Sequence, residues 1–272
     1  MHEVRNRPAR WPWLLVAAAV AVAGGWLLWP RPADPPEAAA PPAPGGLPPS
    51  PQQAGDGAEA PPRHPVAPPE DAADAAIPAL ADSDAAVRDA LAGLVADPAV
   101  LELLLRDHLV QRLVVMADNL TQARVPRTAL AYRPLPGSYA VAEQDGVQIA
   151  DQAANAGRYA PYVAALTAAD PARVAALYRR FYPLFQQAWE ELGHPPAYFN
   201  DRLVAVLDHL LQVPEPAQPP ELVQDAHGRL RYADPALESA SIGHKALLRL
   251  APGHRAEVKA WLAALRRALA RP

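Results

Sequence analysis

Fifteen of the chain's 34 prolines fall between Pro30 and Pro69. Proline fixes φ, carries no backbone N–H and is excluded from helix and sheet interiors. The compact part of the chain must therefore be considerably shorter than its 272 residues. Residues 30–76 also hold almost no large apolar side chain, so they cannot bury enough surface to offset the entropy of ordering. They read as a disordered Pro/Ala-rich linker of polyproline character. Fully extended at about 3.1 Å per residue, roughly 45 residues reach about 140 Å. A passive tether is the expected role, and docking of a partner on PxxP-like runs is the rival one.

Before the linker, Trp11 to Trp29 run for 19 residues without a charge, about 28 Å as a helix and close to the thickness of a bilayer's hydrocarbon core. Trp11 and Trp13 stand at one end and Trp26 and Trp29 at the other, where indoles favour the two membrane interfaces. Arg5, Arg7 and Arg10 precede the span and only Arg31 soon follows it, which predicts a cytoplasmic N-terminus. A cleaved signal peptide ending at Ala21-Val22-Ala23 is the competing reading. It would leave Gly24-Gly25-Trp26-Leu27-Leu28-Trp29 as an apolar stub. The expected organisation is a cytoplasmic basic tail over 1–10, one uncleaved transmembrane helix over 11–29, the linker over 30–76 and a periplasmic domain over 77–270.

The hydrophobic fraction of 51% overstates the core, because 61 of those residues are alanines, which bury little area each. A net charge of -4 argues against nucleic acid as a partner, which would call for a basic patch. Basic residues are 23 Arg and two Lys, a bias that GC-rich codon usage explains, so arginine clusters carry reduced weight as phosphate signals. With no cysteine, disulfides, thiolate chemistry and lipid attachment through an N-terminal Cys are excluded.

From Ile77 onward the hydrophobic period gives a mainly α-helical domain with one or two short β-hairpins. Asp82 or Ser83 caps a helix bearing Val87, Leu91, Leu94 and Val95. Asp97-Pro98, Asp170-Pro171 and Asp234-Pro235 each place a capping carboxylate before a proline at the first helical position. The helices they start are expected to run to about Leu120, Leu192 and Leu250. Two more are expected over Tyr198–Gln212 and His254–Ala270. Hairpins are predicted at Tyr139–Ala150 around Asp145-Gly146 and at Leu222–Tyr232 around His227-Gly228.

Chemistry is harder to find. There is no glycine-rich phosphate loop, no Gly-x-Ser-x-Gly and no His-Glu-x-x-His, the patterns that announce nucleotide, hydrolase and zinc sites. Asp107-His108 and Asp208-His209 invite a metal reading, but adjacent helical residues diverge by about 100° and no third ligand is spaced to join them. No metal and no cofactor are expected. Tyr178, Phe181, Tyr182, Phe185 and Trp189 recur at helical spacing, which suits core packing or one wall of a groove. Tyrosines beside an amide, a carboxylate and a guanidinium suit sugar or peptide binding. The candidate binding residues are Arg158, Tyr159, Tyr162, Tyr198, Asn200, Asp201, Arg202, Asp208 and His209.

The runs Tyr182-Pro183-Leu184-Phe185-Gln186-Gln187-Ala188-Trp189-Glu190-Glu191-Leu192-Gly193, Tyr198-Phe199-Asn200-Asp201-Arg202-Leu203-Val204 and Asp208-His209-Leu210-Leu211 resemble a bacterial family known as domain of unknown function number three thousand and fourteen. Asp118-Asn119-Leu120, Arg158-Tyr159-Ala160-Pro161-Tyr162-Val163, Ala233-Asp234-Pro235 and Ser241-Ile242-Gly243-His244-Lys245 are similar to its other blocks, covering about residues 77–270. His244 departs from the Gly-Gln-Lys that members commonly have. The resemblance implies a Gram-negative inner-membrane protein with an N-terminal span and a proline-rich linker, and it supplies no catalytic residues. The expected function is a tethered, non-catalytic module that binds an envelope protein or cell-wall component. The alternative is a periplasmic hydrolase using Asp201 or Asp208 with His209 and a nearby tyrosine.

Overall fold

Two of the three Asp-Pro pairs, Asp170-Pro171 and Asp234-Pro235, mark helix starts as expected, and Asp97-Pro98 lies outside the described residues. In the computed structural model, which describes residues 61–67, 77–94, 107–125, 131, 135, 137–194 and 197–270, Asp170 Oδ1 accepts from Ala172 N at 2.9 Å and Asp234 Oδ1 from Ala236 N at 2.8 Å. The described helices are α1 (Asp84–Ala92), α2 (Leu109–Asn119), α3 (Gln152–Ala168), α4 (Pro171–Glu191), α5 (Phe199–Leu211), α6 (Pro235–Ser239), α7 (Ile242–Leu248) and α8 (Pro252–Leu269). The strands are β1 (Val141–Gln144), β2 (Val147–Ala150), β3 (Glu221–Gln224) and β4 (Leu230–Tyr232). The fold is mainly helical with one small antiparallel sheet.

Several expected boundaries move. Instead of one helix from Pro98 to Leu120, α2 begins at Leu109, because His108 sits in the left-handed region at φ 56. A left-handed residue cannot continue a right-handed helix. Asp84 supplies the cap from α1, accepting from His108 N at 2.8 Å and Leu109 N at 2.7 Å. Ser83 precedes α1 without capping it through its side chain; its hydroxyl donates back to Leu80 O at 2.8 Å. The stretch expected as one helix from Pro235 to Leu250 is broken at Ser241, which caps α7 by accepting from His244 N at 3.1 Å.

Helix α3 has no counterpart in the sequence expectation. Asp151 caps it through Ala154 N, and Pro161 lies within it, a position where proline removes one backbone bond. Both predicted hairpins form, around Asp145-Gly146 and Gly228 in positive-φ turns. They are also joined: Gln148 pairs with Leu222 and Ile149 with Glu221, giving a four-stranded sheet in the order β1-β2-β3-β4.

Helix α8 is the centre of the packing and lies against α3, α4 and α5. It buries Val258, Trp261, Leu262 and Leu269, each contributing about 1.5–3 kcal/mol by leaving water. The Trp261 indole N–H donates to Ala169 O at 2.6 Å. The tightest approach is at α7, where Ile242 N donates to Gln122 O and Gly243 N to Leu120 O. A Cβ on Gly243 would fall against Leu210 Cδ2 and 2.8 Å from Leu120 O, so only glycine lets α7 reach the end of α2.

Among the described residues no helix is long and apolar enough to cross a membrane. The segment 11–29 lies outside the described residues, as do the tail 1–10 and all of 30–76 except 61–67. That short piece departs from the expectation of a linker without contacts, because it is seated on the helical domain.

Candidate functional site

The seated piece meets the first turn of α5. Pro61, Pro62 and Pro65 have no N–H, so in Pro61-Pro62-Arg63-His64-Pro65 only Arg63 and His64 offer backbone donors. Asp201 takes both: Arg63 N–H donates to Oδ2 at 2.9 Å and His64 N–H to Oδ1 at 2.8 Å. Asn200 completes the clamp, its Nδ2 donating to His64 O at 2.8 Å and to Leu269 O at 3.3 Å. Pro62, His64 and Val66 are half-buried while Pro61, Arg63, Pro65 and Ala67 are exposed, and the chain bends at Arg63-His64, which turns two successive N–H groups toward the one carboxylate.

The clamp is held in place by α4. Tyr198 leaves the start of α5 without a side-chain cap, and Gln186 substitutes, its Oε1 accepting from Phe199 N at 2.8 Å and its Nε2 donating to Ala197 O at 3.0 Å. The Tyr182 hydroxyl donates to the same Oε1 at 3.0 Å, and burial pushes its pKa up to about 12. Phe199 stacks on Phe185 at 5.9 Å and tilts against Trp189 at 5.7 Å, so the aromatic stripe of α4 backs the clamp as core. Asn200 Oδ1 and the Tyr178 hydroxyl are buried without hydrogen-bond partners among the described residues.

The other predicted residues are dispersed. Arg202 ties α5 to the end of α2, reaching Asp118 Oδ1 at 2.6 Å, Asp118 O at 2.8 Å and Thr121 Oγ1 at 2.7 Å. Asp208 is gripped by Arg266 through Nε at 2.7 Å and Nη2 at 3.0 Å. That hydrogen bonding holds its carboxyl below the usual range. Arg158, Tyr159 and Tyr162 belong to α3: the two rings are buried, and the guanidinium donates to Leu135 O at 3.5 Å. Of the nine candidates, Asn200 and Asp201 act on one object, with Tyr198 beside them in the chain.

This arrangement coincides with a known family. Residues 109–266, more than half of the chain, match the model described as protein of unknown function DUF3014. The chain belongs to the DUF3014 family. The DUF3014 match runs from the start of α2 into the last turns of α8 and takes in the clamp and the Arg202–Asp118 and Arg266–Asp208 pairs, but not residues 61–67. No curated protein and no solved structure matches the chain.

His209 of α5 stacks on His244 of α7, with ring centroids 4.0 Å apart. Its Nε2 lies 2.8 Å from Ser241 Oγ, and His244 Nε2 lies 2.6 Å from His209 O. Burial, and then the neighbouring His244 and Arg202, push the His209 pKa down, so the ring is neutral at pH 7. Among the described residues no three His, Asp or Glu side chains are grouped to hold a metal ion. The participant that sequence reading missed is Gln186, whose only signal was its place within the Tyr182–Gly193 block. The seated segment itself gave none, since a composition rich in proline speaks to self-burial and not to borrowed surface.

Proposed function

We propose that this DUF3014 chain is a tethered module that binds short proline-flanked peptide segments of another envelope protein. In this reading Trp11–Trp29 is the single inner-membrane span, residues 1–10 are cytoplasmic, 30–76 form the tether and 77–270 the periplasmic domain. One observation carries it: the Asn200–Asp201 clamp holds a bent, proline-flanked segment by three hydrogen bonds to its backbone. Three bonds to main chain, two of them to a carboxylate, recognise a backbone shape and leave the ligand's side chains to set preference. A trans segment of like character can then take the place of residues 61–67.

The test uses full-length chain in which residues 61–67 are replaced by Gly-Ser, and a synthetic peptide covering residues 58–69. Saturable binding by fluorescence anisotropy, weakened at least tenfold by Asp201→Ala, is the expected result. Absence of binding to the Gly-Ser chain overturns the reading.

The hydrolase reading has one observation in its favour, the contact of neutral His209 with Ser241 Oγ at 2.8 Å. Ser241 is, however, already committed as the cap of α7, and Asp201 and Asp208 are engaged elsewhere. Equal nitrophenyl acetate hydrolysis by the parent chain and Ser241→Ala would discard it.

A further inference from the structure

At the opposite end of α8 from the clamp is a cavity of about 80 Å³, walled by the start of α3, the sheet, the loop over 216–220 and the junction of α7 with α8. On the measure by which one water takes about 10–15 Å³, it has room for a group of about five heavy atoms. Two arginines, Arg249 and Arg255, line it, and no Asp or Glu does. Each is only 8% exposed. Arg249 lies over the Tyr139 ring at 4.9 Å and interacts with Tyr232. The Arg255 side chain has no hydrogen bond or ion pair among the described residues; the nearby carboxylate, Glu215, is bonded to Lys259.

The backbone adds to the imbalance. Helix α8 starts at Pro252 with no side-chain cap and no acidic residue in its first turn. Arg255 sits in that first turn, the wrong end of a helix for a cation, and lines the cavity. Buried cations are ordinarily paired, and a nearly buried guanidinium whose neighbouring carboxylate is taken by a lysine has a place for a ligand's counter-charge. Tyr139 and Tyr232, both held protonated by burial, add hydroxyls to the lining. The remainder is apolar, with Leu222, Leu248 and Pro220 prominent, which suits an anion on a short hydrocarbon body better than one that is polar all round.

We infer that this cavity is a carboxylate-binding site, in which Arg255 and Arg249 receive the carboxylate of a small organic acid or of a peptide's C-terminal residue. It is independent of the Asn200–Asp201 clamp.

Calorimetric titration of the full-length chain with propionate, acetyl-Ala-Ala, acetyl-Ala-Ala amide and inorganic phosphate tests it. At least one of the two acids should bind saturably, with the amide and phosphate at least tenfold weaker. Propionate alone, or the dipeptide alone, identifies which source of carboxylate fits. Arg255→Gln should weaken the acid at least tenfold while leaving the thermal midpoint unchanged or raised, since it removes a buried charge. The acid-against-amide comparison on the unmodified chain decides the matter even where the variant misfolds. No saturable binding of either acid, amide binding equal to acid, phosphate binding tightest, or unaltered acid binding by a folded Arg255→Gln each overturns the site.

Discussion

The two ends of α8 carry arginines under opposite conditions. Near the C-terminus Arg266 is placed where the helix dipole favours a cation and is met by both oxygens of Asp208 at the surface. Near the N-terminus Arg255 is placed against the dipole, is nearly buried and makes no hydrogen bond or ion pair among the described residues, its neighbour Glu215 being bonded to Lys259. The first arginine is explained by the fold and the second is not. One helix thus separates residues that maintain the structure from residues whose arrangement costs stability and is accounted for only by something bound.

The midpoint of the helix sets the scale for breaking that contrast. Trp261→Ala removes a buried ring and leaves Ala169 O without its donor, and should cost about 3–5 kcal/mol by chemical denaturation. Arg255→Leu should act in the other direction and stabilise the unliganded chain by about 1–2 kcal/mol; a loss of that size would mean that the guanidinium serves the fold after all. Asn200→Ala deletes donors to His64 O and Leu269 O and should destabilise by about 1–2 kcal/mol, with part of the loss absent in a chain whose residues 61–67 are already replaced. Asp208→Asn should have the smallest effect, below about 1 kcal/mol and fading with added salt, because the pair is substantially exposed.

The Asp208 pair also has a pH signature. Its folded pKa lies below the ordinary value of 3.8, so the unfolded chain takes up that proton first as pH falls. Its stabilisation is present above about pH 4 and is lost as pH drops through the lowered folded value. A denaturation series between pH 5 and 2 should show a shallower decline for Asp208→Asn than for the parent, and parallel curves would contradict the pairing.

Local chemistry was legible and distant chemistry was not. Asp170 and Asp234 announce their helices because cap and capped amide are two residues apart. Asp145-Gly146 announces a turn because the required positive φ is carried by the residues themselves. By contrast, Asp84 caps a helix 25 residues away, and β2 finds β3 across three helices; no period or spacing encodes such meetings. Helix α3 was hidden by Pro161, whose cost is borne by packing that buries Tyr159, Tyr162 and Leu166. Asn200 and Asp201 were chosen for their residue types beside tyrosines, and they do act together, but on the chain's own backbone. The arginine cavity escaped notice because Arg249 and Arg255 gain significance only from sharing a cavity whose lining holds no Asp or Glu, a juxtaposition in space.

The seated segment has a mechanical side. In the proposed tethered arrangement, with Arg63 fixed at Asp201, a polyproline chain from Trp29 to the domain surface would have a contour of about 100 Å, against about 140 Å for the whole stretch to Ile77. Any segment that takes Asp201 for itself would then lengthen that leash by about a third. Occupancy of the clamp would in this way be converted into a distance, and a domain with its clamp engaged in trans would search a larger volume around the proposed anchor than one holding its own segment.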